Sequence, residues 1–428
     1  MVTAEADPGV ATKGLRRRQQ VSPRVLISGA SVAGPVLAYW LHRFGFRPTV
    51  VERTPQLRDG GGGHAVDLFG PVLDVMEWMG VRDLVEQART TTELMVLVRP
   101  GRPPIEVPLE MLSEGVSERH VEIMRGDLAR IVFEATRTEV EYVFGDSVVT
   151  LDDSASGVAV TFQHGPPRTF DLVVGADGLH STTRRLTFGP EETFSRFLGG
   201  YLAVFSMPNH LHLDNQMIAH SVPGRMAALY PIGTGTQARA GFFWRTAAPY
   251  DYNRHDLDAQ RRLVRQVYGD LGWEVPRLLA ELDRADDLYL DSISQIVMPT
   301  WTKGRVALVG DAGYCPGPAV GGGTSLAIIG AYLLASELVK AGGDPVRGLA
   351  AYQRAVEPVV RHSRSVGPAT IKLVVPGSDR QIWLLAQAMR VLPHLPTGVR
   401  RRITAGGGSA AAMLNGARLT PPHELPRL

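Results

Sequence analysis

The chain has 428 residues, of which 44% are hydrophobic and 21% charged, a balance that is typical of a folded globular protein of two to three domains. The 45 Lys and Arg against 43 Asp and Glu give a net charge of +2, and basic runs occur only at residues 16–18 and 400–402, which argues against a nucleic-acid binder. The single cysteine, Cys315, excludes a disulfide framework and a cysteine-based zinc site. The 46 glycines and 30 prolines indicate either a low-complexity sequence or a set of functional turns.

The N-terminal region allows two interpretations. Residues 1–21 lack an apolar period and are predicted to be a disordered tail. Residues 25–41 carry no charge and follow three arginines, which superficially matches a twin-arginine export signal. However, Gly29, Gly34 and Pro35 interrupt the apolar run, and this favours a strand, a tight turn and a helix. No other export or membrane-spanning candidate follows, so we predict a soluble, cytoplasmic protein without a membrane partner.

The turn after the first strand has the spacing of a dinucleotide fingerprint. The motif consists of Gly29, Ala30, Ser31, Val32, Ala33 and Gly34, with Ser31 at the position of the second glycine. Backbone N–H groups at the start of the next helix would hold a pyrophosphate. A second strand at residues 48–51 leads to Glu52, 18 residues after Gly34, where a carboxylate can accept hydrogen bonds from a ribose. The alternative is an ordinary tight turn with an exposed glutamate.

A second motif follows a predicted buried strand at residues 171–174. Gly175, Asp177 and Gly178 form its turn, Ser181 is predicted to cap a helix, and Arg184 lies in that helix. A strand that ends in an acidic turn before a helix can place Asp177 against the pyrophosphate or ribose of a cofactor.

A third motif follows a predicted strand at residues 305–309. Gly310 and Asp311 form the turn, and Gly321, Gly322 and Gly323 precede an apolar helix at residues 324–339. Successive glycines let the backbone approach a planar or phosphorylated ligand, and Asp311 could bond a ribityl chain.

These three motifs, in this order, resemble those of the FAD-dependent aromatic hydroxylases of the para-hydroxybenzoate hydroxylase type, the group A flavoprotein monooxygenases. The resemblance covers about residues 22–370. The local sequences at residues 63–68 and 125–128 are similar to those of tetracycline-inactivating monooxygenases and of enzymes that tailor aromatic natural products.

The resemblance implies an α/β fold, in which a Rossmann-like FAD-binding domain carries an antiparallel β-sheet substrate domain and C-terminal helices. It predicts an FAD-binding domain at residues 22–68, 113–187 and 294–345. The substrate domain would comprise residues 69–112 and 188–293, and the C-terminal helical section residues 346–428. That section is predicted to pack against the FAD-binding domain, with a dimer surface as the alternative.

The resemblance also implies which residues bind FAD. The pyrophosphate would lie on the turn from Gly29 to Gly34, and Glu52 would take the adenosine ribose with Arg53 beside it. Arg125 would contact the ribityl or phosphate region, and the glycines at 321–323 the pyrimidine edge of the flavin. The remaining implied contacts are Asp67, Asp177, Gly310 and Asp311.

Cys315 lies where this sequence departs from the family, which often has a histidine after Gly-Asp-Ala where this chain has Gly313, Tyr314 and Cys315. We interpret Cys315 as a small buried residue rather than a redox group, because no partner cysteine exists.

The substrate pocket is predicted beneath four antiparallel strands at residues 201–206, 216–221, 225–231 and 239–244. Candidate lining residues are Met217, Met226, Tyr230, Phe243 and Trp244, for each of which ordinary core packing is an equal alternative. His64 either contacts substrate or flavin or faces solvent, and Arg58 either meets NADPH or is a solvated loop residue. His210, His212 and His220 have no spacing that requires a metal, so no metal site is predicted.

The resulting functional prediction is an FAD-dependent monooxygenase that uses NADPH or NADH and O2. In the family's chemistry, hydride passes to the flavin and a C4a-hydroperoxide delivers one oxygen atom to an electron-rich aromatic or polycyclic molecule, in natural-product tailoring or antibiotic modification. The catalytic residues stay unknown, because the flavin carries the hard step. The alternatives are a flavin reductase, oxidase or halogenase on the same scaffold, or a nucleotide-binding protein without redox activity. The predicted oligomeric state is a monomer or a homodimer.

Overall fold

The computed structural model describes residues 22–57, 64–113, 119–233, 235–318, 322–405, 417 and 419–428. The predicted contacts Arg58 and Gly321, the N-terminal tail and the glycines at 60–63 and 406–408 lie outside these residues. The strands are β1 (Arg24–Ser28), β2 (Arg47–Glu52), β3 (Ala65–Phe69), β4 (Leu94–Arg99), β5 (Arg102–Pro108), β6 (His120–Met124), β7 (Glu141–Phe144), β8 (Val148–Ser154), β9 (Gly157–Phe162), β10 (Arg168–Phe170), β11 (Leu172–Gly175), β12 (Ser195–Pro208), β13 (Gln216–Val222), β14 (Arg225–Ile232), β15 (Gln237–Arg245), β16 (Tyr289–Ile296), β17 (Thr302–Lys303) and β18 (Val306–Leu308). The helices are α1 (Ala33–Arg43), α2 (Pro71–Trp78), α3 (Arg82–Gln87), α4 (Leu109–Ser113), α5 (Arg125–Glu134), α6 (Thr182–Phe188), α7 (Leu257–Tyr268), α8 (Val275–Leu282), α9 (Asp311–Tyr314), α10 (Gly323–Lys340), α11 (Pro345–Val374), α12 (Asp379–Val391) and α13 (Thr397–Ala405), with 3₁₀ turns at Glu191–Thr193, Leu392–His394 and Pro422–Glu424.

The first sheet has the strand order β17-β18-β11-β1-β2-β7 and is parallel except for β17. Successive side chains of β1 point to opposite faces. Val25 and Ile27 join a core with α1 and α10, whereas Leu26 packs against the antiparallel sheet β10-β9-β8. The α/β prediction is therefore confirmed: α1 crosses between parallel strands as in a Rossmann-like unit.

The second sheet has the order β16-β12-β15-β14-β13-β4-β5 and is antiparallel except where β13 pairs with β4. The four predicted strands are present as β12 to β15: β12 is more than twice as long as predicted, and the other three are one to three residues longer. One face of this sheet packs against α7 and α8 and includes Tyr201, Phe242 and Trp244. We call the opposite face, which carries Leu202, Val204 and Phe243, the inner face.

The packing of α2 and α3 differs from the predicted division of the chain. Residues 69–112 were assigned to the substrate domain, yet Leu73, Met76 and Val85 belong to the same core as Val25 and Ile27 of the first sheet. The apolar side chains of α2 and α3 pack into the core of the first sheet. The sequence shows that these side chains are apolar, but it does not show which sheet they pack against. The division into domains stays a prediction, and the packing favours a boundary after α3.

The C-terminal helices contact both sheets. The core helix α10 is long and apolar enough to cross a membrane by composition, but 78% of it is buried, between α1 and α11. The beginning of α11 packs on α10, as predicted for the C-terminal section. In contrast, α12 packs on the second sheet, because Ile382, Ala386 and Met389 form an apolar stripe against it.

Candidate active site

The first glycine turn depends on close backbone approach. Gly29 has φ +111°, its N–H donates to Val51 O at 2.8 Å, and a Cβ at this position would lie 2.4 Å from the carbonyl oxygen of Ala176. A Cβ on Gly34 would lie 1.9 Å from the carbonyl oxygen of Gly29. Neither position can therefore accept a side chain without a backbone shift. The N-terminus of α1, after Val32, has no side-chain cap, so its first N–H groups are available to a phosphate.

Glu52 holds this turn against the end of β2. Its carboxylate accepts hydrogen bonds from the Ala30 N–H at 2.9 Å and from the N–H and hydroxyl of Thr54 at 3.0 and 3.1 Å. The side chain of Arg53 is exposed. The structure thus gives Glu52 a role in shaping the turn, and its predicted contact with the adenosine ribose stays a prediction.

The second motif braces a helix. The carboxylate of Asp177 accepts from the Ser181 hydroxyl at 2.5 Å and from the N–H and hydroxyl of Thr183 at 2.9 and 3.0 Å. Ser181 caps α6, as predicted, by accepting the Arg184 N–H. These donors already occupy the Asp177 carboxylate. The backbone of Asp177 packs against Gly29, so the backbone is the part of this residue that the prediction places near the pyrophosphate.

The third motif places an enclosed carboxyl group beside the start of α10. Gly310 has φ +63°, and a Cβ on Gly323 would lie 3.9 Å from Asp311 Oδ1. Burial raises the pKa of Asp311, and the cation of Arg125 partly opposes that rise. Gly322, at φ +74°, precedes α10 without a side-chain cap. The turn therefore presents backbone N–H groups and one polar carboxyl side by side.

Cys315 follows the same turn and is buried. Burial, with the nearby Asp311 carboxyl, raises its pKa well above the usual value for a thiol. The group is accordingly a protonated thiol, in agreement with its interpretation as a small buried residue.

Arg125 connects the first and third motifs. Its guanidinium donates to Ser31 Oγ at 3.1 Å, and its charge acts on the pKa values of Asp311 and His64. Ser31 therefore accepts a side-chain contact at the position where the fingerprint has its second glycine. Sequence reasoning selected Arg125 only through the family resemblance, and the structure places it where the two motifs meet.

His64 precedes β3 and is partly buried, with its ring nitrogen Nδ1 shielded from solvent. Burial, followed by the repulsion of Arg125, lowers its pKa to about 4, so the imidazole is neutral at neutral pH. Its Nδ1 atom is buried, and no hydrogen-bond partner is found for it in the part of the chain that the structure describes. A buried polar atom without a partner is costly unless a ligand satisfies it. The burial of Nδ1 favours a contact residue over a solvent-facing loop histidine, and the role of His64 stays a prediction.

Asp67 lies on the ribbon formed by β3 and β6. Its carboxylate contacts His120 Nε2 at 2.7 Å, and its carbonyl oxygen accepts the Ser325 hydroxyl of α10 at 2.9 Å. The backbone of Asp67 is thus adjacent to α10, while its carboxylate is engaged by His120. The prediction that Asp67 lies near FAD therefore concerns its backbone and not its carboxylate.

The alternation of β15 separates two of the predicted pocket residues. Phe243 lies on the inner face, whereas Trp244 is buried on the opposite face, where it stacks on Tyr201. Adjacent residues of one strand cannot point to the same side. The expectation that Trp244 lines the pocket is therefore wrong. Met226 has the phase of the inner face but packs in the cluster that α12 covers.

Met217 and Tyr230 have the phase of the inner face. Met217 is partly exposed and lies opposite Met95 in the ladder between β13 and β4. Burial raises the pKa of Tyr230 to about 12, and the charge of Arg239 and the N–H of Ala65 lower it in part. The contact places the Tyr230 hydroxyl at the backbone of Ala65, the residue that follows His64 in the chain.

Sequence reasoning missed a buried ion pair on the inner face. The Arg239 side chain is fully buried, donates to Asp287 Oδ2 at 2.5 Å, and lies opposite Ser206, which also donates to Asp287. Side chains alternate between the two faces along β15, so Arg239 lies on the same face as Phe243. This alternation could have placed Arg239 on the inner face from the sequence. An arginine within an apolar strand is rarely buried unless it is paired.

A second group that sequence reasoning missed joins the two sheets. His180 donates to Glu191 Oε1 at 2.8 Å and to Asp291 Oδ2 at 2.9 Å. Burial alone would lower the pKa of His180, but the two carboxylates outweigh it and raise the pKa to about 9. Tyr289 also donates to Asp291, at 3.3 Å, and the charges of Arg125 and Asp311 reach its hydroxyl. This group of side chains therefore extends from the second motif, which contains His180, toward Arg125.

These features fit FAD. Two uncapped helix starts and the contact between Arg125 and Ser31 suit a pyrophosphate, and the enclosed Asp311 suits a ribityl hydroxyl. His64 lies in the same region, since its carbonyl oxygen accepts the Arg125 backbone N–H at 3.3 Å and the charge of Arg125 lowers its pKa. Within the described residues, no group of three His, Cys, Asp or Glu side chains is placed to hold a metal ion.

Comparison with known proteins agrees with this fit. The sequence matches the family model of the FAD binding domain over residues 23–364, and the chain belongs to this family of flavin-dependent monooxygenases. It is therefore an oxidoreductase, an FAD-dependent monooxygenase.

Three relatives illustrate the similarity. An uncharacterized protein of Mycobacterium tuberculosis is 44% identical over 331 residues, which cover 77% of this chain and 88% of the relative. A flavin-dependent monooxygenase of an unknown prokaryotic organism is 38% identical over 351 residues, which cover 80% of this chain and 88% of the relative. The crystal structure of the tetracycline destructase Tet(51) is 33% identical, with a TM-score of 0.79 over 94% of this chain and all of that chain.

Proposed function

We propose that this monooxygenase takes electrons from NADPH or NADH and hydroxylates or otherwise oxygenates an electron-rich aromatic or polycyclic molecule, in natural-product tailoring or antibiotic modification. The observation that carries the substrate class is the inner face of the second sheet. It presents the partly exposed Phe243, backed by the buried Leu202 and Val204, and the hydroxyl of Tyr230, and the neutral imidazole of His64 lies near it because the charge of Arg239 on this face acts on the His64 pKa. Such a surface suits a flat apolar molecule with a few oxygen substituents.

We also propose how the chain holds the cofactor. The turn from Gly29 to Gly34 binds the pyrophosphate, Glu52 orients the adenosine end, Arg125 offsets the phosphate charge, and Asp311 bonds the ribityl chain. The glycines before α10 bring N–H donors to the flavin edge, where negative charge develops on reduction. When bound, FAD supplies the hydride-accepting and oxygen-activating chemistry.

The side chains of the inner face then orient the substrate and exclude water. His64 is neutral, so it can accept a hydrogen bond from a substrate hydroxyl at Nδ1 and hold it without taking its proton. Tyr230 keeps its proton because burial raises its pKa, so it can donate a bond to a substrate oxygen. The apolar neighbours Leu202, Val204 and Phe243 keep water from the reacting atoms. We place the enzyme in the cytoplasm as a soluble protein.

The test is NADPH and NADH oxidation by the purified holoenzyme across a panel of phenols, quinones and tetracyclines under ¹⁸O₂. We expect at least one compound to stimulate oxidation and to gain a single ¹⁸O atom by mass spectrometry. Stimulated oxidation in which hydrogen peroxide accounts for all the reductant would identify an oxidase instead. A flavoprotein that neither nucleotide reduces would contradict the proposed reductant.

A further inference from the structure

The C-terminal helices expose an unusual concentration of large apolar side chains. Within the described residues, six of the ten exposed large hydrophobic side chains lie between positions 373 and 403. They are Leu373, Trp383, Leu384, Val391, Val399 and Ile403, with 44% to 62% of each side chain exposed. Single exposed apolar residues are ordinary on protein surfaces, but a cluster of this kind marks an interaction site.

The geometry of α12 shows that this exposure is built into the helix. Ile382, Ala386 and Met389 bury one stripe against the second sheet. Leu384 and Val391 are seven residues apart and share the opposite stripe, where a surface helix of a globular protein would be polar. A groove between the ends of α11 and α12 continues the apolar surface through Leu373 and Leu384.

The same segment is more positively charged than the protein as a whole. Between positions 372 and 405 there are six basic residues, Lys372, Arg380, Arg390, Arg400, Arg401 and Arg402, and one acid, Asp379. The neighbouring elements contribute Glu110 on α4, which packs against α13, and the exposed Glu106 and Arg102 on β5, on which α12 packs. The segment has a formal charge of +5, whereas the whole chain has +2. Arg380 is four residues before Leu384 and Arg390 is seven residues after Trp383, so cations and apolar side chains share the outward surface.

This combination distinguishes between the occupants that such a surface could have. A symmetric dimer would place the patch against its own copy and would therefore oppose two sets of six cations. Residues 1–21 of the chain bring three further arginines, and residues 406–416 contain only Met413 and Leu414 as large apolar side chains. A surface of anionic lipid headgroups satisfies both components, because it attracts the cations and admits Trp and Leu side chains at its boundary.

We propose that α12 and the beginning of α13 dock the protein peripherally on an anionic phospholipid surface, with Trp383, Leu384 and Val391 inserted at the headgroup boundary. This replaces the sequence-based expectation that the protein has no membrane partner, and no helix crosses the bilayer in the docked state. Leu384 and Val391 lie on the opposite side of α12 from the sheet and Trp383 lies on its flank, so lipid contact leaves the packing of Ile382 and Met389 intact.

The test is co-sedimentation of the holoenzyme with phosphatidylcholine vesicles that contain either no phosphatidylglycerol or about a third of it. We expect a partition coefficient at least about tenfold higher on the anionic vesicles, falling as KCl rises, since the cations are attracted to the anionic headgroups and salt screens that attraction. The triple variant W383Q/L384Q/V391Q should lose at least about tenfold of this binding. The matched control L84Q/L257Q/V346Q changes three equally exposed apolar residues elsewhere and should bind like the wild type.

Loss of binding can be distinguished from unfolding, because all six substituted side chains are exposed and flavin absorbance reports whether each variant is folded. Absence of binding to anionic vesicles overturns the proposal, as does equal loss in the triple variant and its control. A concentration-dependent dimer in sedimentation velocity that the triple variant abolishes would show that a second copy occupies the surface, and would also overturn it. The substitutions lie outside the proposed active site, so the outcome is independent of the substrate.

Discussion

The glycine turns, which we propose hold FAD, and the inner face of the second sheet are built in opposite ways. The turns use the backbone: Gly29 and Gly34 are required because a Cβ would meet a carbonyl oxygen. The inner face uses side chains that neighbouring elements hold in place, as Asp287 holds Arg239. The backbone-built region should consequently tolerate no change at a few positions, whereas the side-chain-built region should show graded effects that depend on each partner.

The largest effect is expected at Gly34. The variant Gly34→Ala forces a Cβ to 1.9 Å from the Gly29 carbonyl oxygen, so the turn must open. Overpacking of this kind costs about 1–3 kcal/mol or more, and we expect the FAD dissociation constant to rise about 100-fold. Titration of the apoprotein with FAD, followed by flavin fluorescence, measures this.

The control for this variant is Gly272→Ala, where a Cβ meets no atom within 4 Å and affinity should change less than about twofold. Equal FAD affinity in the two variants would show that the turn is not built on backbone approach.

The ion pair of the inner face comes next. In Asp287→Asn the buried Arg239 keeps its charge and loses its carboxylate, and we expect the free energy of unfolding to fall by about 3 kcal/mol. Urea denaturation of the holoenzyme measures the change. The matched variant Asp283→Asn removes the partner of Arg265 in a pair that is about half exposed, and should cost less than about 1 kcal/mol. Equal losses would contradict the importance of burial.

His180 tests the link between the two regions. Its folded pKa of about 9 is above the ordinary value of 6.5, so the charged imidazole stabilises the fold fully below pH 6.5 and loses that contribution as the pH rises through 9. Allowing for partial exposure, we expect the wild type to lose about 2 kcal/mol over this interval relative to His180→Gln. Urea titrations at several pH values measure this.

The matched control is His42→Gln, a substitution of a histidine that is 42% exposed on α1. Loss of the pH dependence in this variant as well would show that the effect is not specific to His180. A wild-type slope that survives in His180→Gln would assign the pH dependence to another group.

Substitution of Arg125 is expected to have a smaller effect, on two quantities: the affinity for FAD and the pKa of His64. Arg125→Met removes the donor to Ser31 and should weaken FAD binding about tenfold. It also removes a charge that lowers the pKa of His64, so that pKa should rise, as measured by NMR of labelled histidines. Arg130→Met on the same helix changes an exposed arginine and should alter neither value. A change in affinity without a change at His64 would separate the two sites.

The smallest predicted effect uses the alternation of β15. Phe243→Leu on the inner face should raise the KM of a substrate about threefold to tenfold with little change in stability, because it trims the pocket. Phe242→Leu, on the opposite face, should instead cost about 1–2 kcal/mol of stability and leave KM unchanged. The reversed pattern would mean that the sheet presents its other face to the substrate.

The cofactor turns were predictable because each requirement is local. Gly29, Gly34 and Gly310 occupy conformations or approaches that exclude a side chain, and such requirements leave a glycine in the sequence at a fixed spacing. The strands of the second sheet were predictable for a similar reason, since turn residues separate the apolar segments. Trp244 was assigned to the wrong face because both Phe243 and Trp244 are apolar, and composition alone does not fix the phase of a strand that is buried on both sides.

The sequence by itself therefore determined the α/β fold, the three turns and the family, because glycine geometry and strand periodicity depend on neighbours along the chain. Only the tertiary structure decided which side chains meet: Arg125 with Ser31, Arg239 with Asp287, His180 with Asp291, and α12 on the second sheet. Those contacts join residues up to hundreds of positions apart. Burial and charge pairing, which set the pKa values of His64 and His180, exist only after the chain has folded.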